Sequence, residues 1–133
     1  MSRRQRTVAR IAFILYIGAV AWLCFGKFDS LPDTPRSLLG IPMDKIAHFL
    51  MFLPFPVLAF LSSGHLSETP RSSVLRMLGF FFAGCLFAAA TELIQARFLP
   101  YRSGDPADFR ADLAALGIGS LFILVTDLWK QRK

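Results

Sequence analysis

The sequence is short of charge. Only 18% of its 133 residues are charged, against about a quarter in soluble chains. Acids are the scarcer sign, nine against fifteen bases, and the formal net charge is +6. Cysteine is nearly absent. Cys24 and Cys85 each lie inside an apolar run, one near its end and the other near its middle, so no disulfide is expected. Both read as small packing residues. There is no Cys/His spacing of the kind that holds a metal, and neither a Gly-x-Ser-x-Gly nor a patterned cysteine supplies a nucleophile. No metal or cofactor is expected from these patterns. Repeats, low-complexity tracts and linkers are also missing, and the length suits a single domain over 1–133.

What the chain has instead is apolar surface, 54% hydrophobic and 14% aromatic residues. Four segments, 8–26, 43–63, 74–96 and 106–129, reach the roughly 20 residues that span a bilayer. The breaks between them carry Gly, Pro and Ser. The expected fold is all-α, a polytopic bundle of four transmembrane helices. The start resembles a signal peptide in its basic opening and in Ala19-Val20-Ala21. The apolar run continues through Trp22, Leu23 and Phe25, however, which favours a retained first helix. The positive charge does not point to nucleic acid, because the bases sit at the ends of apolar runs and not along one helix face.

Nine Lys and Arg fall on the side of the two termini and six on the other; the acids divide two and seven. The positive-inside rule then puts both termini in the cytoplasm of a bacterial inner membrane, with the two long loops outward. This topology brings three sequence-distant groups to one depth. Asp44, Lys45 and His48 open the second helix, Glu92 and Gln95 close the third, and Asp108 and Asp112 open the fourth.

Several of these charges have local explanations. Asp105 is a good N-cap with Pro106 at the first helical position, and the helix dipole favours Asp44 and Asp108 near N-termini. Asp112 is not so explained. It lies four residues beyond Asp108, a like-charge spacing that calls for a cationic partner or a protonated carboxyl. Glu92 sits at a helix C-terminal end, where an acid is disfavoured, so it requires a partner, with Lys45, Arg97 and Arg102 available. Asp108, Asp112, Ala115 and Gly119 share one stripe, and small residues so spaced let helices approach. His48 is either a simple interhelical hydrogen-bonder or a functional group. Pro54 and Pro56 should kink the second helix. The phenylalanine runs read as lipid-facing or core, and His65 as solvated.

The pattern Asp44-Lys45-x-x-His48, then Glu92-x-x-Gln95, then Arg102, then Asp108-x-x-x-Asp112 with glycine beyond, resembles the VanZ-like membrane proteins over 42–119. That family often has Asn at the place of Asp112 and Gly at the place of Ala115. It is named for a protein linked to low-level teicoplanin resistance. The resemblance implies a small bacterial membrane protein and a set of residues more than a reaction.

The first expectation is an outward polar pocket of Asp44, Lys45, His48, Glu92, Gln95, Arg102, Asp108 and Asp112. It would bind a lipid-linked or phosphate-bearing envelope component, with Lys45, Arg97 and Arg102 meeting phosphate and membrane lipids as further partners. An enzyme using His48, Glu92 and Asp112 ranks lower for want of a nucleophile. A proton- or ion-coupled carrier and a purely structural ion-pair network remain as alternatives.

Overall fold

A computed structural model of the chain describes residues 2–25, 37–38, 41–63, 69–98 and 106–133, the side chains of 37–38 and 41–44 excepted. The elements are α1 (Arg3–Phe25), β1 (Ser37–Leu38), β2 (Ile41–Pro42), α2 (Met43–Phe52), α3 (Pro54–Ser63), α4 (Pro70–Phe98) and α5 (Pro106–Gln131). β1 and β2 form a two-residue antiparallel ladder, with Ser37 opposite Pro42. Otherwise the described fold is helical. Four helical stretches, α1, Lys45–Ser63 across α2 and α3, α4 and α5, are long and apolar enough to cross a membrane. That is the architecture of a multi-pass membrane protein.

Two helices start earlier than their apolar runs, and capping chemistry explains both. At α1 the Gln5 N–H donates to Ser2 Oγ at 3.2 Å, and the Ser2 backbone N–H donates to Gln5 Oε1 at 2.8 Å. This is a reciprocal capping box. At α4 the Ser72 N–H donates to Thr69 Oγ1 and the Thr69 N–H to Ser72 Oγ, both at 3.2 Å. Pro70 takes the first helical position, where its missing N–H costs nothing. With 29 residues, α4 is about 43 Å long at 1.5 Å per residue. This exceeds a hydrocarbon core of roughly 30 Å, so an α4 that spans a bilayer has to tilt or project from it.

The second span does not merely kink; it divides at Leu53 into α2 and α3. Pro54 and Pro56 carry no N–H, so Leu50 and Phe52 lose the donors an unbroken helix would give their carbonyls. At the same break the Tyr16 hydroxyl, from α1, donates to the Met51 carbonyl. Non-helical backbone at membrane depth is tolerated where other parts of the protein supply such partners.

α5 packs against α2, α3 and α4, while α1 lies on α3 and touches α4. The core gathers Val20, Cys24, Phe52, Phe55, Ala59, Ala88, Ala115 and Leu116. Phe55 stacks on Phe87 at 5.9 Å and meets Phe13 edge-on at 5.5 Å. Two glycines set the closest approaches. A Cβ on Gly84 would stand 2.5 Å from a Leu116 methyl, and one on Gly119 would stand 2.8 Å from the Leu53 carbonyl oxygen. The outer surface is apolar, with Ile14, Leu86, Phe122 and Val125 exposed, as lipid-facing helices require. Both cysteines are free.

Contacts between helix ends fix the up-and-down order. Arg10 Nε donates to the Ser62 carbonyl at 3.1 Å, so the start of α1 meets the end of α3. Gln95 Nε2 donates to the Cys24 carbonyl at 2.7 Å, so the ends of α1 and α4 lie together. The starts of α2 and α5 join that second end through the polar side chains described next.

Candidate functional site

At the end of the bundle where α2 and α5 begin and α4 finishes, four ionisable side chains meet around one imidazole. His48 is the centre. Its Nδ1 lies 2.9 Å from Asp112 Oδ1 and 3.9 Å from Glu92 Oε1, and its Nε2 lies 3.5 Å from Asp108 Oδ2. Lys45 Nζ, one turn earlier on α2, stands 2.7 Å from Asp108 Oδ1. The cluster is largely out of solvent: His48 is 9% exposed, Asp108 8% and Asp112 0%.

Local sequence rules account for this geometry. Asp108 and Asp112 are one helical turn apart on the buried face of α5, which continues through Ala115, Leu116 and Gly119. Their shared charge would be unfavourable alone. The structure separates them by inserting the His48 ring, one carboxylate toward each nitrogen, and by giving Asp108 the Lys45 ammonium as well. Lys45, a cation at a helix N-terminus, is thereby paired, as the dipole argument demands. The 3.9 Å between Glu92 and the ring is an electrostatic contact and too long for a hydrogen bond.

An ionised carboxylate only accepts, so with Asp112 charged the His48 Nδ1 that faces it carries a proton. Nε2 is left facing Asp108 at a distance beyond a good N–H···O bond. The arrangement thus holds a buried imidazole in one orientation with its second nitrogen open to the cluster. Chemically it can take or give a proton at Nε2 or ligate through it.

Of the residues expected to form a pocket, the structure brings together Lys45, His48, Glu92, Asp108 and Asp112. Gln95 points elsewhere. It is buried, but its amide serves the Cys24 carbonyl near the end of α1, one of the last-turn carbonyls that a helix leaves without internal donors. It is structural cement between α1 and α4 and not part of the His48 cluster. Arg97 is exposed on the last turn of α4. Arg102, Asp105 and His65, and the side chain of Asp44, lie outside the described residues.

The sequence reading missed a second buried polar group at the opposite end of the bundle. Ser73 Oγ donates to Asp127 Oδ2 at 2.7 Å, and Gln131 Nε2 donates to Ser73 Oγ at 2.6 Å. Asp127 and Ser73 are both buried. The signal was present, because the stripe from Asp112 through Leu116, Ser120 and Ile123 reaches Asp127 at helical spacing. This group ties α4 to α5. Comparison of the chain with protein-family models, with curated proteins and with solved structures finds no match.

Proposed function

We propose that the chain is a protein of a bacterial cytoplasmic membrane, with both termini in the cytoplasm. In this reading it binds a lipid-linked, phosphate-bearing envelope component where the outward ends of α2, α4 and α5 converge. One observation carries the reading: three helices each commit an ionisable side chain to a buried cluster at one end of the bundle, centred on His48. Such groups are expensive in a bilayer and mark functional sites by default. The resemblance to VanZ-like proteins rests on the same residues and supports the same place. No bond-breaking step is assigned.

A second reading, a structural ion-pair network, is favoured by the tight Lys45–Asp108 and His48–Asp112 contacts of 2.7 and 2.9 Å. The carrier reading has less support. Between the two polar ends, α5 buries Ala115, Leu116, Gly119 and Ile123, with Ser120 the one polar side chain among its buried residues there.

The deciding experiment substitutes Glu92→Gln and His48→Gln, then measures the amount of protein in the membrane and the lipids that copurify under gentle extraction. The ligand reading expects normal accumulation and loss of a phosphate-bearing lipid identified by mass spectrometry. Disappearance of both variants from the membrane would instead establish the structural network.

A further inference from the structure

We propose that His48, Glu92 and Asp108 form a binding site for a divalent transition-metal cation, with Asp112 as the residue that positions His48. The inference deepens the ligand reading above and rests on it only for what the ion would serve. One ligand atom from each of the three residues lies within 4.8 Å of the others. The donors come from three different helices, α2, α4 and α5. Bonds of about 2.0 to 2.2 Å to a shared ion place neighbouring donor atoms about 3 to 4.4 Å apart. The separation of His48 Nε2 from Asp108 Oδ2, 3.5 Å, is long for a hydrogen bond and falls inside that range; Glu92 makes its shortest approach to the ring at Nδ1, 3.9 Å, so an ion on Nε2 would draw its carboxylate across toward that nitrogen.

Asp112 gives the second, independent observation. Its carboxylate is fully buried and turned into the cluster, with Oδ1 on His48 Nδ1. Its Oδ2 is also buried, and no hydrogen-bond partner reaches it among the described residues. A buried carboxylate with one oxygen left over favours additional positive charge nearby. The contact it does make is the one that metal-binding histidines use: a carboxylate accepts the far N–H, fixes the tautomer and leaves the other nitrogen's lone pair for the ion. Lys45 stands on Oδ1 of Asp108 and leaves Oδ2 facing the ring. Its charge tempers the affinity without occupying the ligand atoms.

One imidazole with two carboxylates suits Mn²⁺ or Zn²⁺ better than Ca²⁺, which prefers all-oxygen surroundings. Three protein ligands leave coordination positions open. A phosphate oxygen of the proposed envelope component would enter there. This also answers the electrostatic difficulty of bringing a phosphate to a cluster that holds three carboxylates.

The test uses the full chain in detergent, stripped with chelator and titrated with Mn²⁺ alone, free ion being read by electron paramagnetic resonance and Zn²⁺ added as competitor. One ion per chain is expected. Glu92→Gln, Asp108→Asn and His48→Gln should each weaken binding at least about tenfold, and Asp112→Asn about 10- to 100-fold, the range of such supporting contacts. Because His48→Gln could fail to fold, His65→Gln provides a second route by leaving His48 the sole histidine of the two in the chain. Zn²⁺ should then shift its Nε2 nitrogen resonance and leave Nδ1 protonated. Absence of saturable binding, binding unchanged by the three ligand substitutions, or an Nε2 signal that ignores Zn²⁺ would overturn the proposal. Ion binding without any phosphate-lipid binding would keep the metal site and remove the phosphate reading. Chelator-insensitive lipid binding with no ion bound would do the reverse.

Discussion

Asp112 shows how much one residue can settle. Its position in the sequence already marked it as unexplained, because neither a cap nor the first turn of a helix dipole reaches it. The structure supplies the missing partner, His48, from a helix 64 residues away in sequence. Asp112→Asn keeps a carbonyl oxygen for the His48 N–H, and we expect it to fold with a loss of about 1 kcal/mol. Asp112→Ala strands that buried donor, and about 1 to 3 kcal/mol of destabilisation follows. Thermal melts of the two variants in one detergent check the order; equal losses would mean that the His48 contact contributes nothing. Gln95 teaches the opposite lesson. Its spacing from Glu92 put it on an apparently shared polar face, but side chains three apart diverge enough for one to meet α2 and the other α1. Which neighbour each finds is a tertiary fact that the helix periodicity does not contain.

At the scale of elements, the four spans were legible because apolar length is a strong signal. Their ends were less so. α1 and α4 start before their apolar runs because Ser2 with Gln5 and Thr69 with Ser72 close reciprocal caps, short polar patterns that a hydropathy reading passes over. Thr69→Ala should therefore cost about 1 kcal/mol, seen as a lower melting temperature and faster amide exchange in the first turn of α4. The glycines separate two kinds of close packing. At Gly119 an added methyl meets backbone, the Leu53 oxygen at 2.8 Å, with Pro56 also near. At Gly84 it meets side chains only, a Leu116 methyl at 2.5 Å and the Phe55 ring at 3.1 Å, which can yield by repacking more readily than backbone. Overpacking typically costs about 1 to 3 kcal/mol. Gly119→Ala should fall in the upper part of that range and Gly84→Ala in the lower, measured as the difference in unfolding free energy. The reverse order would show that the α3–α5 seam at the helix break is softer than its geometry indicates. The candidate metal ligands illustrate the limit of reading along the chain. Metal motifs are recognised by short spacings, whereas His48, Glu92 and Asp108 are brought together only when three helix ends converge.

For the whole molecule, the distribution of charge and the fold make one joint statement. The end contacts Arg10–Ser62 and Gln95–Cys24, with the His48 cluster, place the starts of α2 and α5 and the ends of α1 and α4 together. The basic termini therefore share the opposite end, and the orientation proposed above, from the positive-inside rule, would put that end in the cytoplasm. Single cysteines in a Cys24→Ala, Cys85→Ala background test the assignment. Ser103→Cys, between α4 and α5, should react with a membrane-impermeant maleimide in intact cells. Ser2→Cys and Lys133→Cys should react only after permeabilisation. The opposite pattern would turn the cluster toward the cytoplasm without disturbing the convergence of the three helix ends, because that convergence depends on the parity of the crossings and not on their direction. The proposed ion site would survive such a result, since its ligands are set by contacts within the bundle. The envelope component would not, because an inward-facing site meets different phosphates. Orientation is thus the measurement that separates what the fold determines from what the membrane does.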